Sequence, residues 1–236
     1  MNKNKTAIIT GGSTGIGKHV GILLSQNQYN VILISRNKKN LELVKKEITN
    51  SGNTCQIIVA DVSKKTDLDK FFLKIKEIDN IDILINNAGI GIFNKLENIS
   101  CEEWDIQMDT NLKGAFLITQ GVVPKMIKNR KGKIIFINSV AGLNPYPFSS
   151  VYVASKYGLK GLSSSLREEL REHNIKVISI HPGAVDTPFW NNINVDFPRN
   201  EMLSAKDVSI SIVNAILAPN NVVQEELVIR RTAGDF

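Results

Sequence analysis

Cysteine occurs only twice in 236 residues, as Cys55 and Cys101, too few and too far apart for a disulfide framework or a thiolate metal cage. Histidine is almost as scarce. His19, His173 and His181 show no i, i+4 pairing and no Cys or carboxylate at ligand spacing, so no metal site is expected. No apolar run approaches the roughly 18 residues needed to cross a bilayer, and no membrane span or membrane partner is expected. The first apolar stretch, AIIT at Ala7–Thr10, runs straight into glycines and reads as a strand, not a secretory signal, which leads to an expected cytoplasmic location. Repeats and low-complexity linkers are also missing. With 42% apolar and 22% charged residues, the chain is expected to form one globular domain over 1–236. The formal charge of +6 comes from dispersed lysines without a basic stripe or a recognised nucleic-acid motif, so no nucleic-acid partner is expected. The run KMIKNRKGK, Lys125–Lys133, reads as cations placed where they offset a helix macrodipole.

What is present is an alternation of short β-branched runs with longer helical patterns. Strands are expected at Thr6–Thr10, Val31–Ser35, Thr54–Ala60, Ile81–Asn86, Lys133–Asn138, Lys176–Ile180 and Glu226–Ile229. Most are apolar at nearly every position, as strands covered on both faces are. Leu41, Val44 and Ile48, and Leu68, Phe71, Phe72, Ile75 and Ile78, recur at helical spacing and give one apolar stripe each. The pattern predicts an α/β Rossmann architecture, a doubly wound, mainly parallel seven-stranded sheet with helices on both faces. HPGAVDTPFWNNINVDFPRN, after the sixth strand, has no period and is a candidate lid.

The stretch TGGSTGIG, Thr10–Gly17, joins the first strand to the first helical pattern. Gly11, Gly15 and Gly17 let a pyrophosphate approach the backbone N–H groups at a helix N-terminus, although the G-x-x-x-G-x-G spacing differs from the general dinucleotide fingerprint. Where an NAD site needs an acidic residue at the end of the second strand, the chain has Ser35-Arg36. Arg36 can meet a 2′-phosphate with a charge-assisted fork, which predicts NADP(H) over NAD(H).

Tyr152 and Lys156, in SSVYVASKYGLKGL, lie four apart on a predicted helix and so share a face. An ammonium one turn away is expected to lower the phenol pKa and suit Tyr152 to proton exchange with a carbonyl or alcohol oxygen. Ser139, just past the fifth strand, is placed to orient the same oxygen, and Asn111 to link Lys156 to solvent through a water. Pro145, Tyr146, Phe148, Phe189 and Trp190 are candidates for an apolar pocket wall. Ala154, Gly158, Gly161 and Ser165 put small residues on the same helix as Tyr152.

These segments, with DV at Asp61-Val62, NNAG at Asn86–Gly89, YVASK at Tyr152–Lys156 and HPGAVDT at His181–Thr187, resemble the short-chain dehydrogenase/reductase family from end to end. The resemblance implies a catalytic tetrad of Asn111, Ser139, Tyr152 and Lys156, with Tyr152 as proton donor and Lys156 also holding the nicotinamide ribose. It implies a cofactor cradle at Gly11, Ser13, Thr14, Gly15, Ile16 and Gly17. Asp61 and Val62 would meet the adenine, Asn87, Ala88 and Gly89 the adenosine ribose, and Pro182, Gly183, Val185 and Thr187 the nicotinamide end. The implied activity is NADP(H)-dependent hydride transfer to or from a small carbonyl or alcohol, by a homodimer or homotetramer. Reduction of a 3-oxoacyl group on an acyl carrier protein is the alternative within the family. It ranks second because the loop after Thr187 is short and the ending EELVIRRTAGDF lacks a VDGG-type tail. The chain looks more similar to the sepiapterin-reductase-like or general carbonyl-reductase branches. A non-catalytic NADP-binding regulator is the alternative from another class.

Overall fold

In the computed structural model, residues 5–193 and 198–235 are described. Seven strands form one wholly parallel sheet: β1 (Lys5–Thr10), β2 (Tyr29–Ser35), β3 (Cys55–Val59), β4 (Ile83–Asn86), β5 (Gly132–Ile137), β6 (Ile175–Pro182) and β9 (Glu226–Ile229). Two short strands, β7 (Val185–Asp186) and β8 (Leu203–Ser204), pair with each other outside it. The sheet order is β3-β2-β1-β4-β5-β6-β9. The chain therefore moves outward from β1 to one edge, returns, and builds the other half from β4, leaving a switch point between β1 and β4 where ligands bind in such sheets.

The strands are apolar on both faces because helices cover both. Ile9, Leu33, Ile85 and Ile135 pack on one side with α1 (Gly15–Gln26), α2 (Lys38–Asn50) and α7 (Ala205–Leu217). Ile8, Leu84, Ile134 and Phe136 face α3 (Lys65–Lys74), α5 (Gly114–Asn129) and α6 (Ser150–Arg171). The stripe Leu41, Val44 and Ile48 is buried as expected, as are Leu68, Phe71 and Ile75. Ile78 falls beyond the end of α3, whose C-cap is Ile75.

Between α4 (Cys101–Met108) and α5 the backbone widens into a π-turn, Asp109–Lys113, which the sequence pattern does not reveal. Such turns displace one side chain from helical register. Here the turn carries Asn111.

The basic run at the end of α5 is occupied with its own fold. Lys125 Nζ donates to the carbonyls of Lys76 and Ile78, just past α3. Arg130 binds the carbonyl of Glu172 at the end of α6, and Lys133 donates to the carbonyl of Ile216 in the last turn of α7. Lys176 serves the carbonyls of Pro219 and Val222. Arg130 and Lys133 thereby meet the negative ends of α6 and α7, while Lys125 and Lys176 tie down the loops that follow α3 and α7.

At the N-terminal end of the strands, away from the switch-point cleft, Asp82 ties three segments together. Its buried carboxylate accepts from the amide of Thr6 at 3.0 Å, from Asn80 Nδ2 at 2.8 Å and from Lys131 Nζ at 2.9 Å. Asp82→Ala leaves the Thr6 amide without its acceptor and is expected to cost about 2–3 kcal/mol. A urea midpoint within experimental error of wild type would contradict that role.

Candidate active site

The C-terminal ends of the strands open into a cleft of about 1010 Å³ at the switch point. Its floor depends on Thr10. The Thr10 hydroxyl accepts from the amides of Asn87 at 2.9 Å and Ala88 at 3.0 Å, while Asn87 Nδ2 returns bonds to the carbonyls of Thr10 and Gly11 at 2.9 and 3.2 Å. The loops after β1 and β4 are thereby stitched together.

Gly11 and Gly15 have φ of +63° and +53°, in the left-handed region that favours glycine. Gly17 has a different task. A Cβ there would lie 2.5 Å from both the Gly11 carbonyl oxygen and Asn87 Nδ2, so its missing side chain lets α1 pack against the turn. Gly17 does not line the cleft, in contrast to the expected ligand contact; Gly11, Ser13, Thr14, Gly15 and Ile16 do. The N-cap Thr14 makes no side-chain capping bond, and the first turn of α1 has no acidic residue. That positive helix end faces the cleft, an arrangement able to take an anion.

Arg36 stands exposed after β2, on the cleft wall beside Ser35, Asn37 and Asn40. Asp61 and Val62 line the cleft after β3, as do Asn87, Ala88 and Gly89 after β4, and Pro182, Gly183, Val185 and Thr187 after β6. Asp61 Oδ1 is held by the amide and hydroxyl of Ser63, at 3.0 and 2.7 Å.

Ser139, Tyr152 and Lys156 meet at the other end of the cleft. Ser139 is immobilised through its backbone. Its amide donates to Asn138 Oδ1 at 3.0 Å, and its carbonyl accepts from the Gly142 amide at 2.9 Å and from His181 Nδ1 at 3.1 Å. Its Oγ accepts from the Ala141 amide at 3.1 Å. The hydroxyl proton remains available on the side that faces the cleft, where Tyr152 also stands. Lys156 Nζ is buried, donates to the carbonyl of Ile137 at 3.0 Å, and lies 5.6 Å from the centre of the Tyr152 ring.

The electrostatics reverse one expectation. Tyr152 is not acidified: burial pushes its pKa up to about 12, with only the Ser139 side chain pulling it down. The Phe93 and Phe189 rings, centred 5.3 and 5.8 Å from that of Tyr152, remove water that would solvate a phenolate. Burial also pushes Lys156 down to about 8. In this state Tyr152 holds its proton throughout the neutral range and is suited to donate it.

Asn111 also differs from expectation. It is buried and absent from the cleft wall, and its side chain makes three hydrogen bonds. Oδ1 accepts from the Ile90 amide at 2.8 Å, and Nδ2 donates to the Ile90 carbonyl at 2.9 Å and to Ser155 Oγ at 3.0 Å. Its side chain therefore shapes the 89–91 loop, while Oδ1 keeps a second lone pair for a water. Asn111 and Lys156 approach one place, since a Cβ on Gly89 would lie 3.4 Å from Asn111 Oδ1 and 3.8 Å from Lys156 Nζ.

Tyr146, Phe148, Phe189 and Trp190 line the cleft as expected, whereas Pro145 lies outside it. Two contributors escape the sequence reading. Phe93, four residues past the NNAG motif, stacks nearly parallel to Trp190 with centroids 6.1 Å apart. The C-terminal segment brings in Arg231 and Asp235; Asp235 accepts from the Tyr146 hydroxyl at 3.0 Å and pairs with Arg230 at 3.3 Å. A charged, glycine-containing ending, RRTAGDF, is the only hint the sequence offers. Residues 194–197 of the expected lid lie outside the described residues.

The sequence model described as short chain dehydrogenase matches residues 5–197. The chain belongs to the short-chain dehydrogenase/reductase family. This makes it a member of a family of oxidoreductases. A sepiapterin reductase of Chlorobaculum tepidum is 34% identical over 97% of both chains. A metagenomic short-chain oxidoreductase solved with NADP superposes with a TM-score of 0.85 at 30% identity, covering 97% of each chain. An alcohol dehydrogenase of the archaeon Thermococcus sibiricus, complexed with 5-hydroxy-NADP, gives 0.89 at 25% identity, covering 98% of this chain and 97% of that one.

Lys156→Met keeps the apolar stem and removes the buried charge. From pH 10.5, the ordinary lysine pKa, down to about 8, the unfolded chain holds a proton that the folded chain has released. Wild-type stability therefore rises with pH across that window, and the burial penalty is fully present below it. The variant is expected to be more stable than wild type by about 2 kcal/mol at about pH 7, with the advantage shrinking toward about pH 10.5. Urea midpoints at the two pH values check this, and a pH-independent difference would contradict it.

Proposed function

We propose that the protein is an NADP(H)-dependent oxidoreductase, acting as one domain, that reduces a compact carbonyl compound or oxidises the corresponding alcohol. The observation that carries this reading is the pairing, in one cleft, of an uncapped glycine-cradled helix end with a Ser139–Tyr152–Lys156 cluster at the opposite end.

The residues present fit the dinucleotide. Ser13, Thr14, Gly15 and Ile16 would hold its pyrophosphate at the α1 terminus. Arg36, which has no hydrogen-bond or ion-pair partner among the described residues, would take the 2′-phosphate. Asp61 and Val62 would border the adenine, Asn87–Gly89 the adenosine ribose, and Pro182–Thr187 the nicotinamide. Gly17 supports the cradle from behind. When bound, the nicotinamide supplies the hydride.

The protein supplies orientation and the proton. Ser139 and the Tyr152 hydroxyl would bind the substrate oxygen, and Tyr152 would give its proton to that oxygen as the carbonyl carbon is reduced. Lys156, held by the Ile137 carbonyl, presents its charge to the cofactor ribose and to the Tyr152 oxygen. Asn111 acts as a positioning residue through Ile90. The aromatic walls Phe93, Phe189 and Trp190 favour a planar carbonyl compound, and the C. tepidum relative's name makes a pteridine the first to test.

An acyl carrier protein would need a basic docking face. Lys125, Arg130, Lys133 and Lys176 are committed to backbone carbonyls, so such a face would have to be built from other cations. The non-catalytic alternative has to explain an assembled Ser139–Tyr152–Lys156 cluster.

The deciding experiment is NADPH consumption with ketones, diketones, pteridines and β-ketoacyl thioesters, run beside NADH. Tyr152→Phe is expected to lower turnover by about 10²- to 10⁴-fold while NADPH affinity stays close to wild type. Unchanged turnover would refute the proton-donor role. Arg36→Glu is expected to cut kcat/KM for NADPH by about 10- to 100-fold relative to NADH; an unaltered ratio would remove Arg36 from the site.

The proposal includes a homodimer or homotetramer. Trp104, Phe116 and Tyr157 leave an exposed aromatic on each of α4, α5 and α6. Gly161 has no neighbouring atom within 4 Å of where a Cβ would stand, whereas Gly158 packs on Leu112. Light scattering at micromolar concentration is expected to give at least a dimer mass, and a monomer mass would rule this out.

A further inference from the structure

Four described residues other than glycine adopt positive φ: Gln28, Arg130, Phe148 and Asn174. Gln28, Arg130 and Asn174 close α1, α5 and α6, where a left-handed residue ends a helix in the usual way. Phe148 precedes α6 and carries a bulky ring at φ +60°, a conformation that burdens any side chain and an aromatic especially. The strain secures no core packing, since Phe148 is 60% exposed. A backbone outlier kept beside an active site is a pointer to function.

The ring stands at a boundary. Phe148 and Tyr146 line the cleft and also a second hollow of about 500 Å³, which has an apolar side of Leu96, Pro145 and Val153 and a polar rim that includes Lys95, Glu97 and Ser150. Tyr146 is fastened by its hydroxyl to Asp235. Among the described residues Phe148 is held through its backbone, whose carbonyl accepts from the Asn94 amide at 2.9 Å. That bond joins the 94–98 segment to the 146–149 segment and aims the ring between the two spaces.

We propose that Phe148 is a substrate-size determinant: its strained ring partitions the reaction cleft from the apolar side of the neighbouring hollow and restricts the enzyme to compact carbonyl compounds. Without the ring the two spaces become continuous, and a ketone with an extended apolar substituent gains a place for its tail against Leu96, Pro145 and Val153. The assignment rests on the oxidoreductase reading above.

Phe148→Gly tests it, because glycine adopts this φ without strain while deleting the ring. With NADPH, the ratio of kcat/KM for decan-2-one to that for butane-2,3-dione is expected to rise by at least about tenfold over wild type, the worth of a few newly buried methylenes. The melting temperature is expected to hold or rise by about 2–4 °C as the backbone relaxes. A folded variant whose ratio stays within about twofold of wild type overturns the proposal. If wild type reduces no carbonyl, the oxidoreductase reading fails and the partition is judged by calorimetric titration with decan-2-one alone. Binding at least about tenfold tighter in Phe148→Gly supports the partition, and equal binding overturns it.

Discussion

The hydrogen bonds across the β1–β4 seam are the constraint on which the cleft depends. In a parallel sheet whose order reverses between these strands, the loops leaving them diverge, and nothing in the ladder itself keeps their first residues in place. Thr10 and Asn87 do so by exchanging side-chain and backbone bonds across the gap. The glycine turn can then adopt left-handed backbone angles, and α1 can press on it through Gly17. One wall of the cleft owes its position to that seam. The other wall begins at Ser139, whose amide and carbonyl are clamped by Asn138, Gly142 and His181.

Between those walls the fold sets chemistry against stability. A lysine buried with a single carbonyl for company and a phenol enclosed by aromatic rings are both held away from their charged forms. Neither arrangement helps the chain fold. The gain is a proton that stays on Tyr152 until a substrate oxygen needs it, and an ammonium that gives up charge within reach of neutral pH. Expecting mutual attraction between the pair overlooks desolvation, which here outweighs a charge 5.6 Å from the ring centre.

Much of this was legible in the amino-acid order because buried parallel strands and amphipathic helices write long, periodic patterns. The unbroken apolar runs in Thr6–Thr10 and Lys133–Asn138 located β1 and β5 to within a residue or so at each end, and the Leu41–Val44–Ile48 stripe located the buried face of α2. Tyr152 and Lys156 came together because a single helix carries both. What escaped depends on local geometry without a period. The π-turn moved Asn111 behind the wall, close packing hid Gly17, and chain return from a distant terminus brought Asp235 to Tyr146.

The cations that cap distant helices bear on how the molecule looks from outside. A lysine whose ammonium is anchored to carbonyl oxygens projects less field into solution than its formal charge suggests, since helix-end dipoles lie against it. Burial further lowers the pKa of both Lys133 and Lys176. The two side chains thus hold the end of α7 and the loop after it against the sheet, so that a change at either strand would be felt at the helix end.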